Sequence, residues 1–181
     1  MSVSTLQRLP KIIEVVWHPP ILHLIKCNTD DSATTASSSC GGIFRDKDSK
    51  FLLCFTKNTG NENAYQAELS GVIRAIEIAA HHKWNSLWLE VDSALVVNAF
   101  KNQSLVPWRL RNRWNNCMHI ISNMNFLVSH VYREENCCVD ALVNLGLTLD
   151  NLTIWLEIPA CIRGYYGQNR LGLPCFRFVN F

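Results

Sequence analysis

The chain has 181 residues, of which 48% are hydrophobic and 18% are charged, so it is long enough to bury a core and typical of a globular domain. Its 17 lysines and arginines exceed its 15 aspartates and glutamates by only 2, which excludes nucleic-acid binding driven by overall charge. No apolar run is long enough for a signal-peptide core or a membrane span, which favours an intracellular protein, in the nucleus or the cytoplasm, with no membrane partner.

The first half of the chain reads as a lead-in followed by strands. Residues 1–20 are predicted to be a lead-in, because the prolines at 19 and 20 disfavour regular structure. Residues 22–29 alternate in polarity, as a strand with two unlike faces does. Residues 41–45 and 51–56 are apolar runs joined by a polar five-residue segment, which predicts a β-hairpin.

Helical patterns separate the remaining strands. Asn63 with Gln66 three residues later resembles a capping box and predicts a helix to about residue 82. Residues 87–91 predict a strand, and Asp92 with Ser93 opens a helix to residue 100. A helix beginning at Pro107, a strand over residues 126–131 and a helix over residues 135–145 that stops at Gly146 complete the pattern.

This order, β-β-β-α-β-α-α-β-α, predicts one α/β domain over residues 21–146. The expected architecture is a five-stranded mixed sheet, three antiparallel strands followed by two parallel ones, flanked by helices. Residues 147–181 lack periodicity, and their aromatic residues predict an extension that packs on the domain or on a partner. These are Trp155, Tyr165, Tyr166, Phe176, Phe178 and Phe181.

Four carboxylates lie at the ends of predicted strands or on predicted helices: Asp30, Glu68, Asp92 and Asp140. Hard divalent cations require several carboxylate oxygens from separate elements. The set therefore indicates a two-metal phosphodiester hydrolase. Each residue also has a plain structural alternative, namely a turn for Asp30, the first helical turn for Glu68, a helix cap for Asp92 and a solvated helix face for Asp140.

Six motifs follow one another in a fixed order. They are Trp17-His-Pro-Pro20, Lys26-Cys-Asn-Thr-Asp30, Gly41-Gly-Ile-Phe-Arg-Asp46, Ala67-Glu68, Glu90-Val-Asp-Ser93, and His130-Val-Tyr-Arg-Glu-Glu-Asn136 followed by Asp140-Ala-Leu142. In order and spacing they resemble the ribonuclease H family, most closely the RNase H-like domain common in plants and associated with retroelement reverse transcriptases. The resemblance covers roughly residues 17–146.

The resemblance implies an RNase H-like fold and an endonuclease that cleaves the RNA strand of RNA–DNA hybrids with two Mg²⁺ ions, which Mn²⁺ could replace. The family's metal ligands correspond to Asp30, Glu68, Asp92 and Asp140. Residues near them are candidates for contacts with the hybrid: Asn28, Ser32, Gly42 and Asn98. Arg109 and Arg113 share a predicted helix face and could bind the phosphate backbone, although a solvated arginine face explains them equally well.

Two positions leave alternatives open. Asp31 stands where the family has glycine, so a second hypothesis is a retroelement-derived domain that binds nucleic acid without cleaving it. A third is an interaction module whose aromatic extension binds a protein partner that the sequence does not identify. His130 occupies the position of a loop histidine that helps product release in some RNases H, but it follows Leu127-Val-Ser129 and is better explained as the end of a strand.

Overall fold

A computed structural model describes residues 11–21 and 23–179. Residues 1–10 of the predicted lead-in, Leu22 of the first predicted strand and Phe181 of the aromatic extension lie outside the described residues. The strands are β1 (Lys11–Val15), β2 (Ile25–Ala33), β3 (Ser38–Arg45), β4 (Phe51–Gly60), β5 (Ser86–Val91), β6 (Asn125–His130), β7 (Thr153–Trp155) and β8 (Cys175–Val179). The helices are α1 (Ala64–His81), α2 (Ala94–Ala99), α3 (Trp108–Ser122), α4 (Cys137–Gly146) and α5 (Arg163–Arg170).

The main sheet has the strand order β6-β5-β2-β3-β4-β7. Strands β2, β3 and β4 are antiparallel, and β5 and β6 add in parallel beside β2, which confirms the predicted mixed sheet. A sixth strand, β7, comes from the extension and pairs antiparallel with β4. Its three residues are too few to show a period of two, which is why the sequence pattern did not predict it.

The sheet separates two hydrophobic clusters, because successive side chains of a strand point to opposite faces. Phe44 and Phe55 pack with α1 and α3, whereas their neighbours Ile43 and Cys54 pack with α4 and α5. The sequence therefore buries both faces of its central hairpin. The end of the sheet at which β2 and β5 finish is left available for other contacts.

The structure tests two predictions about helix ends, namely the start of α1 and the end of α4. The capping box at α1 is confirmed, since Asn63 accepts a hydrogen bond from the Gln66 backbone and the Gln66 side chain accepts one from Asn63. Gly146 is the last residue of α4, but its role is close packing, because a Cβ there would overlap Thr56 Oγ1 and approach Ser39. Without a side chain at this position, α4 lies directly against the hairpin.

Part of the extension packs on the domain: Tyr166 is buried, whereas Tyr165, Phe176 and Phe178 are exposed. The Tyr166 hydroxyl donates to the Ser49 carbonyl and accepts from the Phe51 backbone, both at 2.9 Å. Strands β1 and β8 pair antiparallel in a separate two-stranded sheet that lies against the short turn Arg133–Glu135. Within the described residues, no helix is long and apolar enough to cross a membrane.

Candidate active site

A cleft of about 440 Å³ opens where β2 and β5 end and α1 begins. Asp30, Asp31, Glu68, Asp92 and Arg133 line it. Strands β2 and β5 are parallel neighbours, so their carboxyl ends meet at the same edge of the sheet. The cleft thus brings together three of the four predicted carboxylates, Asp30, Glu68 and Asp92. It also contains Asp31.

Asp30 and Glu68 are almost fully buried, with 2% and 5% of their surface exposed. Asp30 Oδ1 accepts a hydrogen bond from the Asp31 backbone at 2.8 Å. Asp30 Oδ2 and Glu68 Oε1 have no hydrogen-bond partner. A buried charged oxygen without a partner is costly, so these two atoms are the groups in the cleft that most need a ligand.

The carboxylates raise one another's pKa values. Burial, then the neighbouring Asp92, raises the pKa of Asp30 to about 8. Burial and Asp92 also raise the pKa of Asp31 to about 6, although Arg133 opposes the shift. For Glu68, burial and the charges of Asp92 and Asp31 hold the pKa well above its usual range. Binding of a cation in the cleft would relieve this repulsion.

The helix-cap explanation for Asp92 does not hold. The N-cap of α2 is Ser93, whose hydroxyl accepts from the Val96 backbone at 3.4 Å. Asp92 is therefore free to face the cleft, where burial raises its pKa. His130 is the last residue of β6, as the strand interpretation expected, and its Nε2 lies 3.0 Å from the Asp92 carbonyl oxygen.

Asp140 lies on the first turn of α4, beside the cleft rather than in its lining. Its Oδ1 is 3.7 Å from Arg133 Nη2, and its Oδ2 accepts from Asn144 Nδ2 at 3.3 Å. It lines a neighbouring cavity of about 230 Å³ that shares Arg133 with the cleft. Its charge still contributes to the raised pKa of Asp30.

The donor set fits a hard divalent cation, because it consists of carboxylate oxygens and includes the two unpartnered atoms on Asp30 and Glu68. Within the described part of the chain, however, no three acidic, histidine or cysteine side chains converge on one point as they stand. Asp30, Glu68 and Asp92 would have to turn further into the cleft to share an ion.

Two predicted nucleic-acid contacts, Asn28 and Gly42, are corrected by their burial. Asn28 is 0% exposed and binds Trp17, Arg45 and Glu90 through its side chain. Gly42 is buried in the sheet, where a Cβ would overlap the Phe55 ring. Both residues belong to the interior, because position beside a carboxylate along the chain does not determine which face a residue occupies.

The other predicted contacts are at least partly exposed. Ser32 lines the cleft and donates to Asn144 Oδ1 at 3.0 Å, whereas Asn98 is exposed on α2 outside the cleft lining. Arg109 is exposed, and Arg113 binds both oxygens of Glu77, which occupies its guanidinium.

Arg133 is a functional candidate that the sequence reasoning missed. The only signal was its place within the last motif, between His130 and Asn136.

Comparisons with known proteins identify the family and the fold of the chain. The profile of the family described as reverse transcriptase-like matches residues 28–146. An Arabidopsis thaliana protein provisionally named as a ribonuclease H protein is 32% identical over 145 residues, which cover 77% of this chain and 23% of that protein. The chain thus spans less than a quarter of that relative.

Solved structures show the same fold. RNase H1 from the archaeon Halobacterium salinarum superposes with a TM-score of 0.61 at 22% identity, over 68% of this chain and 97% of that one. LC11-RNase H1, isolated from compost by a metagenomic approach and solved in complex with an RNA/DNA hybrid, gives 0.59 at 21% identity, over 68% and 96%. The chain belongs to the reverse transcriptase-like family and has a ribonuclease H fold.

Proposed function

We propose that the cleft hydrolyses the RNA strand of RNA–DNA hybrids by a two-metal mechanism. The observation that carries the proposal is the pair of buried, unpartnered carboxylate oxygens on Asp30 and Glu68, two residues that line the cleft together with Asp92. A chain that needed only a stable fold would not retain such a group, since replacing it would remove a cost.

Asp30, Glu68 and Asp92 would hold divalent cations, and Asp140 would complete the set after moving away from Asn144. When bound, two Mg²⁺ or Mn²⁺ ions would supply a stronger nucleophile from water and would stabilise charge on the leaving 3′-oxygen. The protein's own part is to hold the carboxyl groups buried and close together, so that a bound cation would favour their ionised form. Their raised pKa values mean that cation binding and proton release are linked.

Arg133 supplies the positive charge of the cleft. Its side chain is 72% exposed and lies between the cleft and Asp140. A guanidinium at this rim can bind a phosphate oxygen of the substrate through its fork of N–H groups. In that position it would orient the backbone over the carboxylates. Its charge also partly opposes the rise that burial causes in the pKa values of Asp31 and Asp92.

The hybrid is the proposed substrate because LC11-RNase H1, which shares the fold, was solved with one. Selection of a hybrid would use 2′-hydroxyl contacts on one strand and backbone shape on both. The exposed Arg109 on α3, beside the 76% exposed Trp108, is a candidate for backbone contacts outside the cleft.

A second candidate is a domain that binds nucleic acid without cleaving it. The observation that favours it is Asp31, whose carboxylate lines the cleft and adds negative charge beside Glu68 and Asp92. If this charge misplaces the ions, binding persists and turnover is lost.

The test is cleavage of an end-labelled RNA–DNA hybrid with Mg²⁺ by the natural protein, Asp30→Asn and Asp31→Gly, with binding measured by fluorescence anisotropy. We expect cleavage by the natural protein and a loss of at least about a thousandfold in Asp30→Asn, since a metal site supplies several kcal/mol of stabilisation to the transition state. Asp48→Asn, on the exposed turn of the hairpin, is the matched carboxylate control.

Cleavage that appears only in Asp31→Gly would support the binding-only candidate for the natural chain. Hybrid binding without cleavage in all three proteins would remove the nuclease proposal. Absence of both binding and cleavage would instead favour an interaction module.

A further inference from the structure

Behind the cleft lies a buried cluster that we call the polar clamp: Trp17, Lys26, Asn28, Arg45 and Glu90. Lys26 is 1% exposed, Asn28 0%, Arg45 1% and Glu90 8%. Lys26 Nζ donates to Glu90 Oε1 at 2.8 Å, and Asn28 Nδ2 donates to Glu90 Oε2 at 2.9 Å. Both oxygens of one carboxylate on β5 are thus bound by side chains of β2.

Along β2 and β5, the clamp residues Asn28 and Glu90 come two residues before the cleft residues Asp30 and Asp92. Asn28 pairs with Glu90 in the parallel register of β2 and β5. Two residues further along these chains are Asp30 and Asp92, about 7 Å away at the usual rise of a strand. Whatever fixes Asn28 against Glu90 therefore sets the distance between the two cleft carboxylates.

Further bonds fix Asn28 itself. Its Oδ1 accepts from Arg45 Nη2 at 2.7 Å and from Trp17 Nε1 at 3.1 Å. The Arg45 guanidinium also lies 3.6 Å from the centre of the Trp17 ring. The amide orientation is fully determined, because reversing it would place its N–H groups against two donors and its oxygen against Glu90.

We propose that Lys26, Asn28 and Glu90 are positioning residues that set the affinity of the cleft for divalent cations, an inference that rests on the proposed function. Stability alone does not account for them, because apolar residues of similar volume often stabilise a core as well as a buried ion pair does. Groups that orient metal ligands commonly change metal affinity by about 10- to 100-fold when they are replaced.

The structure allows a reciprocal exchange as the test. In Glu90→Gln, one amide N–H faces a donor from Lys26 or Asn28, and in Asn28→Asp two carboxylates face each other. In the double variant, Asp at 28 accepts from Gln at 90, Gln at 90 accepts from Lys26, and the bonds to Trp17 and Arg45 remain. Charge and hydrogen bonds are therefore restored together.

The measurement is the Kd for Mg²⁺ by titration calorimetry without nucleic acid, well below each variant's melting temperature. We expect each single variant to bind Mg²⁺ about tenfold more weakly, and the double variant to return to within about threefold of the natural protein. Glu77→Gln, which removes the ion pairs of Glu77 with Arg74 on α1 and with Arg113 on α3, is the stability control and should leave the Kd unchanged.

Single variants that lose melting temperature but keep the natural Kd would overturn the proposal. A double variant that recovers the melting temperature without the affinity would do the same. If the single variants do not fold, Trp17→Phe removes one bond to Asn28, and at least about twofold weaker Mg²⁺ binding is then expected, with an unchanged Kd contradicting it.

The two proposals fail differently. A natural protein that binds no Mg²⁺ would overturn both the proposed function and this inference. A natural protein that binds Mg²⁺ and cleaves hybrid, with unaltered affinity in the variants, would overturn only the positioning role.

Discussion

The polar clamp and the cleft both contain buried charged groups on or next to β2 and β5, but these groups are paired in the clamp and repel one another in the cleft. In the clamp both Glu90 oxygens are bound by donors, and Arg45 Nε is the single clamp atom without a partner. In the cleft, like charges lie together, and an oxygen of Asp30 and one of Glu68 lack partners. Burial is common to both regions, so burial alone does not mark a functional site.

The two regions differ in how many of their buried charged atoms have hydrogen-bond partners. Native proteins satisfy nearly all buried polar groups, so unsatisfied and mutually repelling groups indicate a ligand or a reaction. The clamp shows that this chain can pair buried charges within about 7 Å of the cleft. The unpaired oxygens of the cleft are therefore a local property of that site.

The largest effect should follow from breaking the clamp. Lys26→Met leaves Glu90 as an uncompensated buried anion, and we expect the free energy of unfolding to fall by about 3–5 kcal/mol. Adding Glu90→Gln removes that charge and should recover most of the loss. Chemical denaturation of both variants gives the measurement, and equal stability of the single variant and the natural protein would show that the clamp is not a paired network.

The far end of the clamp should contribute less. Arg45 Nη1 donates to Asn169 Oδ1 at 2.8 Å, which ties the clamp to α5 in the extension. Asn169→Ala removes this acceptor, and a hydrogen bond to a charged group is worth about 1.5–3 kcal/mol. Asn151→Ala, at an exposed position, is the control for thermal or denaturant melts. A loss no larger than that of the control would mean that the extension does not stabilise the clamp.

Removing a buried charge from the cleft should raise the free energy of unfolding, whereas breaking the clamp should lower it. The pKa of Asp30 is raised to about 8 from an ordinary value near 4, so between these pH values the folded protein binds more protons than the unfolded one. The stability of the metal-free protein should therefore fall as pH rises through this window. Asp30→Asn keeps the acceptor for the Asp31 backbone and should be more stable by about 1–3 kcal/mol at pH 8, with little difference at pH 5.

The measurement for Asp30→Asn is denaturation in a chelator across pH 5 to 9. Mg²⁺ should stabilise the natural protein most at the alkaline end, where cation binding displaces the fewest protons. A natural protein whose metal-free stability rises between pH 5 and 8 would contradict the raised pKa of Asp30.

Sequence patterns predicted the five central strands and the helices between them, because apolar residues recur in them at strand or helix spacing or form short apolar runs between polar turns. They also pointed to three carboxylates that line the cleft, Asp30, Glu68 and Asp92, whereas the predicted Asp140 lies beside it. Asp30 and Asp92 meet because each follows the last pair of the parallel β2–β5 register, Thr29 with Val91. The patterns did not predict the clamp, although Lys26, Asn28 and Glu90 stood in the quoted motifs. Alternation placed polar side chains on one strand face, but only tertiary pairing shows that this face is buried.

The smallest expected change in stability distinguishes the role of Asp92 from that of the neighbouring Ser93. Ser93 is the N-cap of α2, so Ser93→Ala should reduce stability by about 1 kcal/mol and leave hybrid cleavage nearly intact. Asp92→Asn should leave that cap in place and abolish cleavage, because the lost charge belongs to the cleft. Denaturation and cleavage assays on both variants distinguish the roles. If Asp92→Asn instead lowered stability as much as Ser93→Ala and retained cleavage, Asp92 would belong with the structural charges of the clamp.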